Sequence, residues 1–380
     1  MLGRSRTTSR RELLRSGVAL GSALLAGSLP LRAAQGPARR RPVIDCTDLY
    51  HPPQDPGDNV DLVAAYALPE VDLQAVVLDV TERFRHDSPR DPGFLPVTQL
   101  NLIFGRNVPC AVTPFAAMRN PEDRMLDAPG FEQAGIELLL ETLRRSPEPV
   151  DIASFGSAKA VAIACNREPR LLRDKVRLVH LCAGSSEPGY IEWNVALDPQ
   201  AFIRLLRSDL PVAIYPCATK DGPFAYGPHN CFYLLPNLEF IRQMAPRLRQ
   251  YLVYAFTNAA RPDFLRFLDE QAPDDVLTQV CGRAHNVWET SVWAQVSDRR
   301  LVQHPDGAFR LVPAAEVTAA DRVLPNELRP CRVTVGDDAV MRWEPTDGET
   351  GFRMYDRGDP GENERALREA LPALYLSFGR

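Results

Sequence analysis

Short apolar runs alternate with helical segments along the first half of the chain. The runs are RPVIDCT, LQAVVLDVT, VPCAVTP, VDIASFG, VRLVHLC and LPVAIYPC, and helical periodicity occupies residues 58–68, 131–145, 158–166 and a segment starting at Asp198. Continuous Val, Ile and Leu runs separated by helices are typical of a parallel sheet covered on both faces. The sequence therefore predicts an α/β fold, in which ligands bind beyond the carboxyl ends of the strands.

The character of the sequence changes after about residue 300. The stretch RPCRVTVGDDAVMRWEPTDG predicts a hairpin turning at residues 336–338, and ENERALREALPALYLSF predicts a closing helix. We expect residues 41–300 to form the main domain, a mainly parallel sheet with helices on both faces. We expect residues 301–380 to form a C-terminal α+β extension packed on that core.

The first 34 residues have the pattern of an export signal. Arg10 and Arg11 precede the apolar run VALGSALLAGSLPL, and the small residues of RAAQG follow it. A twin-arginine signal peptide has this order. A membrane anchor is the alternative, but the run is short and rich in Gly, Ser and Ala. We predict export to the periplasm or cell exterior by the twin-arginine route, with no membrane attachment once the signal is removed.

Charge and cysteine usage limit the partners of the chain. The formal net charge is −5, and removal of the signal makes it more negative because that segment holds six arginines and one glutamate. An acidic protein is a poor candidate for nucleic-acid binding. None of the eight cysteines forms a CxxC pair, so their spacing carries no zinc or thioredoxin signature. Cys165 and Cys182 lie in apolar runs, and we expect mostly free, buried thiols.

Residues 43–68, VIDCTDLYHPPQDPGDNVDLVAAYAL, concentrate carboxylates at a strand-to-helix turn. Asp58 is placed to cap the helix, and Asp61, three residues on, to complete a capping box. Capping accounts for neither Asp45 nor Asp48, at the end of the strand. Carboxylates gathered there suit a hard divalent cation such as calcium. This segment alone leaves a metal or catalytic role and simple capping as equal alternatives.

A second polar group lies in GYIEWNVALDPQAFIRLL, residues 189–206. Asp198 followed by proline predicts a helix start. Upstream, Glu192 and Asn194 are two residues apart, so they share one side of a predicted extended segment while Trp193 faces the other way. An acid beside an amide can clamp a hydroxyl group. A solvated loop edge is the alternative.

A third group lies in GRAHNVWETSVWAQV, residues 282–296. Asn286 and Glu289 have capping-box spacing and predict a helix start. His285, just before it, is placed to project into a cleft as an acid or base. A structural histidine is the alternative.

These three groups together resemble the nucleoside hydrolase family (inosine–uridine preferring) over residues 41–300. The family's D-x-D-P-G-x-D-D compares with DCTD and DPGD, its SPEL step with ALPEVDL, and its G-P-L-T-N turn with ASFGSAKAVAIA. The most specific match is EWNVALDPQA, which is similar to E-F-N-x-x-x-D-P-x-A. The family's H-D-P compares with His285–Asn286.

The resemblance implies a divergent exported member with the nucleoside hydrolase fold. Such a protein cleaves the N-ribosyl bond of a small riboside with water, while calcium holds the sugar hydroxyls and the water. The resemblance implies that Asp48 is the base and that His285 protonates the departing base or lines its pocket. The implied metal ligands are Asp48, Asp58, Asp45 and Asn286. The implied substrate contacts are Glu192, Asn194, Trp193 and Glu82.

Several positions depart from the family pattern. LYHPPQ is inserted before the DPGD motif, Gly57 stands where one of the paired aspartates belongs, and the family asparagine after the second strand falls near Glu82. Asn286 replaces a metal-binding aspartate. Lys159 occupies the neighbourhood where a backbone carbonyl meets the metal in the family. We expect either weakened metal binding or partial replacement of the cation by the Lys159 ammonium group.

The departures leave competing functions open. One is a riboside hydrolase, and the other is a catalytically impaired sugar- or nucleoside-binding homologue that has lost the metal site. A metal-dependent hydrolase of another ester or glycoside is a third, because a fold does not fix a function. The sequence is compatible with a homo-oligomer and does not fix the oligomeric state.

Overall fold

The computed structural model describes residues 40–84 and 88–379. The predicted export signal, residues 1–34, lies outside the described residues. Among the helices of the described part, none has both the length and the apolar character needed to cross a bilayer.

The described residues form sixteen strands and eleven α-helices. The strands are β1 Arg41–Thr47, β2 Tyr50–His51, β3 Val71–Leu78, β4 Asp91–Pro92, β5 Cys110–Val112, β6 Val150–Phe155, β7 Val176–Leu181, β8 Val212–Ile214, β9 Tyr233–Leu235, β10 His285–Val287, β11 Arg299–Gln303, β12 Phe309–Pro313, β13 Arg322–Val323, β14 Glu327–Val335, β15 Met341–Pro345 and β16 Phe352–Asp356. The helices are α1 Gly57–Ala67, α2 Phe94–Phe104, α3 Gly130–Arg145, α4 Lys159–Arg167, α5 Pro169–Lys175, α6 Trp193–Leu197, α7 Pro199–Leu206, α8 Pro246–Phe256, α9 Asp274–Cys281, α10 Thr290–Val296 and α11 Pro360–Leu376.

Nine of the strands form the central sheet, in the order β15-β14-β16-β8-β7-β6-β1-β3-β5. The strands from β16 to β5 are mutually parallel, and β14 runs antiparallel to both of its neighbours, β16 and β15. Along β1, Val43 and Ile44 are both fully buried but belong to different apolar clusters, one on each face of the sheet. A strand buried on both faces reads as a continuous apolar run, so the predicted mainly parallel α/β class is confirmed.

The C-terminal segment completes the central sheet. The hairpin β14–β15 and the closing helix α11 are present where the sequence predicts them. However, β16 pairs in parallel with β8, and β14 pairs with β16. Residues 301–380 therefore supply three strands of the main sheet, instead of only packing on a core formed by residues 41–300.

Two predicted helix caps are wrong. Helix α1 begins at Gly57, and no side chain caps it. Asp61 instead accepts a hydrogen bond from Thr290 Oγ1 at 2.5 Å, a partner that is distant in sequence. Residues 285–287 form strand β10 paired with β9. The next helix therefore starts at Thr290, without a side-chain cap from Glu289.

Candidate active site

A cavity of about 500 Å³ opens beyond the carboxyl ends of β1, β7 and β8. Four parts of the chain contribute to it: the turn into α1, the turn into α6, the loop after β8, and β10 with the residues around it. The lining residues are Asp48, Gln54, Asp55, Pro56, Asp58, Tyr190, Glu192, Trp193, Asn194, Cys217, Pro223, Phe224, Arg283, Ala284, His285, Asn286, Trp288 and Glu289.

The turn after β1 places carboxylates along one wall of the cavity. Asp48 and Asp58 are buried. Gln54 Nε2 donates to Asp48 Oδ2 at 3.2 Å, and Asp55 Oδ1 accepts from the Gly57 backbone N–H at 2.7 Å. Burial and the neighbouring carboxylates raise the pKa values of Asp48 and Asp58 well above their usual range. Without added positive charge, this wall holds protons that exposed aspartates would have released.

The same wall contains carboxylate oxygens without partners. Among the described residues, nothing bonds to the buried atoms Asp58 Oδ2 and Glu289 Oε2. Burial, and then repulsion from Asp58 and Asp61, raise the pKa of Glu289 well above its usual range. Buried polar atoms are nearly always hydrogen-bonded in proteins. An unbalanced acidic wall is therefore the main electrostatic feature of this cavity.

The donor types on this wall suit calcium, which takes about six to eight oxygen ligands from carboxylates, amide carbonyls and water. Asp48, Asp58 and Asn286, three of the predicted ligands, border the cavity. In the described part of the chain, however, no three carboxylates bring oxygens within 4.8 Å of one another. The wall therefore fits a calcium site that draws on few carboxylates, together with amide oxygens and water.

Among the predicted metal ligands and substrate contacts, Asp45 and Glu82 do not border the cavity. Asp45 lies within β1 with 1% of its surface exposed, and burial raises its pKa to about 8. Its Oδ1 has no hydrogen-bond partner among the described residues. Glu82 lies on an exposed 3-10 helix, Glu82–Phe84, outside the lining.

Lys159 is buried beside the site, but it does not line the cavity. Its Nζ donates to the Val80 carbonyl at 2.6 Å and lies 3.7 Å from Asp79 Oδ1. Asp79 Oδ2 also accepts from Ser157 Oγ at 2.7 Å. The ammonium group therefore compensates Asp79 at the end of β3.

Asp79 is linked to the cavity wall although sequence analysis missed it. A Cβ built on Gly156 would lie 2.6 Å from Asp79 Oδ2 and 3.2 Å from Asp48 Cβ, so both aspartates pack against that glycine. Asp79 contributes to the raised pKa of Asp48, after burial itself. The available signal was its position at the end of a second apolar strand, next to the strand that ends at Asp48.

A second wall of the cavity is built by the start of α6. Glu192 is the N-cap of this helix, and its carboxylate accepts from the backbone N–H groups of Gly184 at 2.9 Å and Asn194 at 3.0 Å. The predicted extended segment is therefore wrong, and the helical turn brings Trp193 into the same lining. Burial raises the pKa of Glu192 to about 7. Asn194 Nδ2 donates to the Cys182 carbonyl at 2.9 Å, which fixes the amide.

His285 lies at the third side of the cavity. Its ring packs edge-on against Phe256, with centroids 5.5 Å apart, and its Nε2 is buried without a partner among the described residues. Burial, and then the positive charge of Arg283, lower its pKa to about 4. The imidazole is therefore neutral near pH 7 and can still donate one hydrogen bond.

Aromatic side chains close this end of the cavity. Trp288 Nε1 donates to the Cys217 carbonyl at 2.9 Å, which fixes the indole. Phe224 is 60% exposed, and its ring centroid lies 5.8 Å from that of Trp288. Such a surface suits a planar, partly apolar group. Sequence analysis missed Phe224 because a single aromatic residue in a loop has no periodic signal.

The order of the sheet and the position of the cavity define the class of protein, an α/β protein with the nucleoside hydrolase fold. A purine-preferring ribonucleoside hydrolase from Gardnerella vaginalis superimposes with a TM-score of 0.53 at 12% identity, covering 88% of this chain and 99% of that chain. The plant nucleoside hydrolase PpNRh1 gives 0.52 at 14% identity, with the same coverage. At these identities the likeness shows the fold alone.

Sequence similarity to curated proteins points to the same group. The chain is 30% identical over 183 residues to the pyrimidine-specific ribonucleoside hydrolase RihA of Citrobacter koseri, covering 42% of this chain and 57% of that protein. The corresponding protein of Escherichia coli O1:K1 / APEC is 29% identical over 184 residues, with the same coverage. The chain thus spans little more than half the length of these relatives, and no family model matches it. In sequence and in fold, the chain is thus similar to nucleoside hydrolases, in agreement with the resemblance of its motifs.

Proposed function

We propose that the protein hydrolyses the N-ribosyl bond of a nucleoside or a related riboside. The observation that carries this proposal is one cavity lined by buried carboxylates, by an acid–amide pair on a second wall, and by aromatic side chains. A ribose has hydroxyl groups for the polar walls, and a nucleobase is a planar group for the aromatic end. The similar ribonucleoside hydrolases support the same reaction class.

In this proposal, Asp48 accepts a proton from the attacking water. Gln54 donates to Asp48 Oδ2, which holds that carboxylate in one orientation. Cleavage of the C1′–N bond leaves positive charge on the ribose ring, and the carboxylates of the wall stabilise that charge. Hydrogen bonds to backbone groups hold the side chains of Glu192 and Asn194 in place. The Glu192 carboxylate and the Asn194 amide oxygen are therefore positioned to accept hydrogen bonds from ribose hydroxyls.

His285 acts on the departing base as a hydrogen-bond donor. An imidazole whose pKa is about 4 carries little positive charge near pH 7, so it is a poor source of a full proton. A neutral ring can still donate its N–H to the base, which leaves as an anion. The anion then takes a proton from solvent, which balances the proton that Asp48 accepts from the water. Trp288 and Phe224 contact the flat face of the base in this arrangement, and Trp193 adds a further aromatic contact.

We also propose calcium as the cofactor, held by Asp48, Asp58 and Asn286. When bound, calcium supplies the positive charge that keeps Asp48 ionised and able to accept a proton. The Lys159 ammonium group is the alternative source of charge. Its bonds to Val80 and Asp79 favour calcium, because they hold the ammonium group away from the cavity lining.

One observation favours the second candidate, a binding protein without turnover. The buried Lys159–Asp79 pair lies where β3 ends and α4 begins, and the resemblance implies a metal contact near Lys159. If that pair displaces the cation, the sugar clamp of Glu192 and Asn194 would bind a riboside without cleaving it.

The two candidates are separated by incubating the protein with a panel of purine and pyrimidine ribosides, with calcium and after chelation. Chromatography measures free base, and calorimetry on the same samples measures binding. Release of base that depends on calcium supports the hydrolase. Saturable binding with no release under either condition supports the binding protein and contradicts the hydrolase.

We further propose export by the twin-arginine route, supported by Arg10, Arg11 and the apolar run that follows them. Sequencing the mature N-terminus from a periplasmic fraction tests it. A start near residue 35 is expected. An intact Met1 in the cytoplasm would contradict it.

A further inference from the structure

Three cysteines that are distant in sequence meet beside the cavity, which one of them, Cys217, also borders. Cys182 follows β7, Cys217 follows β8, and Cys231 precedes β9. Cys182 Sγ lies 3.4 Å from Cys217 Sγ and 3.7 Å from Cys231 Sγ, and all three sulfurs lie within 4.8 Å of one another. In the part of the chain that the structure describes, this is the one His, Cys, Asp and Glu group that meets this distance condition.

We propose that Cys182, Cys217 and Cys231 form a thiolate site for a zinc ion, with the fourth coordination position facing the cavity. The inference is independent of riboside hydrolysis. Thiolates are the ligands preferred by soft and borderline cations, whereas the oxygen wall described above suits calcium. The chain thus carries two adjacent donor sets of different chemical character.

The sulfur spacing fits zinc. A Zn–S bond is about 2.3 Å, so two thiolates of a tetrahedral site lie about 3.8 Å apart. The two sulfur separations, 3.4 and 3.7 Å, differ from that value by a few tenths of an ångström or less. An ion can therefore enter without a large rearrangement of the backbone.

The surrounding charge also fits zinc. Three thiolates and one Zn²⁺ leave a net charge of −1, and binding releases the thiol protons to solvent. Arg357, 1% exposed, lies beside this site: its guanidinium donates to the Gly227 carbonyl and Asn230 Oδ1, both at 2.9 Å, and to the Phe232 carbonyl. These partners precede and follow Cys231 in the chain. The arginine neutralises the remaining charge, whereas Cu⁺ on three thiolates would leave −2.

Access and the fourth ligand come from the cavity. Cys182 and Cys231 are 0% and 1% exposed, whereas Cys217 is 6% exposed and borders the cavity. A metal held by three protein ligands keeps an open position for water. Here that position faces the cavity that Cys217 borders, so a water or a ligand atom can complete the site.

The test uses the full-length protein, purified under reducing conditions, loaded with zinc and dialysed against a weak chelator. One zinc per chain is expected for the wild type. Cys231→Ala is expected to weaken binding more than about tenfold, the least that a lost ligand should cost. The matched control is Cys331→Ala, since Cys331 is equally buried but lies in β14, outside the trio. It should retain one zinc.

A second measurement covers the case in which Cys231→Ala does not fold. Cobalt is bound in place of zinc, and thiolate-to-cobalt charge-transfer absorption is recorded for the wild type and for Cys217→Ser. A strong band in the wild type that falls in the variant supports sulfur ligation. Absence of stoichiometric zinc, cobalt bound without the band, equal loss in Cys331→Ala, or a Cys182–Cys217 disulfide in the native protein would each overturn the proposal.

Discussion

The buried carboxylates of this site differ in whether a positive charge lies beside them, and this difference determines how substitutions change the stability of the protein. Lys159 compensates Asp79, whereas Asp58 Oδ2 and Glu289 Oε2 have no partner among the described residues. Removing one member of a buried pair leaves a buried charge and usually costs about 3–5 kcal/mol. A neutral residue at Lys159 should therefore destabilise the folded protein, whereas a neutral residue at Asp58 or Glu289 should stabilise it.

We expect Lys159→Met to lower the free energy of unfolding by about 3 kcal/mol, because Asp79 then remains buried without its cation. The double variant Lys159→Met/Asp79→Asn should recover a large part of that loss. Urea unfolding of the two single variants and the double variant gives the coupling energy. Additive effects would show that the two side chains do not interact in the folded protein.

At the scale of the element, capping explains why Glu192 is placed where it is. Its carboxylate accepts three backbone N–H groups, those of Gly184, Asn194 and Val195, so it joins the end of β7 to the start of α6. The sequence indicated an acid–amide pair. It could not indicate the helical turn, because α6 has only five residues and no periodic apolar face.

We expect Glu192→Ala to lower the free energy of unfolding by about 0.5–2 kcal/mol, the usual range for the loss of an N-cap. Urea denaturation measures it. Glu349→Ala is the control, because the side chain of Glu349 is 91% exposed. Equal stability of the wild type and Glu192→Ala would contradict the capping role.

The segment after residue 300 gives a second prediction at this scale. Because β16 pairs with β8, and Tyr355 of β16 is fully buried, deletion of residues 301–380 should expose a sheet edge and part of the core. We expect an aggregated product without cooperative unfolding, measured by size-exclusion chromatography and thermal denaturation. A soluble, cooperatively unfolding product would show that residues 41–300 fold alone.

At the scale of the whole molecule, the buried carboxyl groups determine how stability depends on pH. The pKa values of Glu192, Asp198 and Asp45 are raised from 4.5, 3.8 and 3.8 to about 7, 6 and 8. Between about pH 4 and 8 the folded state therefore holds more protons than the unfolded state, and the free energy of unfolding falls as pH rises. His285, lowered from 6.5 to about 4, acts in the opposite direction as a single group.

We therefore expect the metal-free protein to be less stable at pH 8 than at pH 5, by on the order of 5 kcal/mol. Calcium should raise the melting temperature more at pH 8, where the carboxylates have lost their protons. Thermal denaturation at both pH values, with calcium and with chelator, measures both effects. A stability that increases from pH 5 to pH 8 without calcium would contradict the raised pKa values.

The separation in sequence between contacting residues explains which features the sequence could predict. The apolar runs predicted the parallel strands, and the hairpin near residue 336 and helix α11 follow from local turn and helix signals. Asp61 bonds to Thr290 instead of capping its own helix, and Cys182 meets Cys217 because two strand ends are adjacent. Contacts between distant segments have no local sequence signal, so sequence analysis missed these two.

The most direct measurement is the rate of free-base release from a cleaved riboside by the wild type and by Asp48→Asn, both saturated with calcium. Loss of the proton-accepting carboxylate should lower kcat by about a hundredfold to ten-thousandfold, while riboside binding changes little. Asp72→Asn is the control, because Asp72 lies in β3 outside the cavity lining. Equal rates for Asp48→Asn and the wild type would contradict the assignment of the cavity as a riboside hydrolase site.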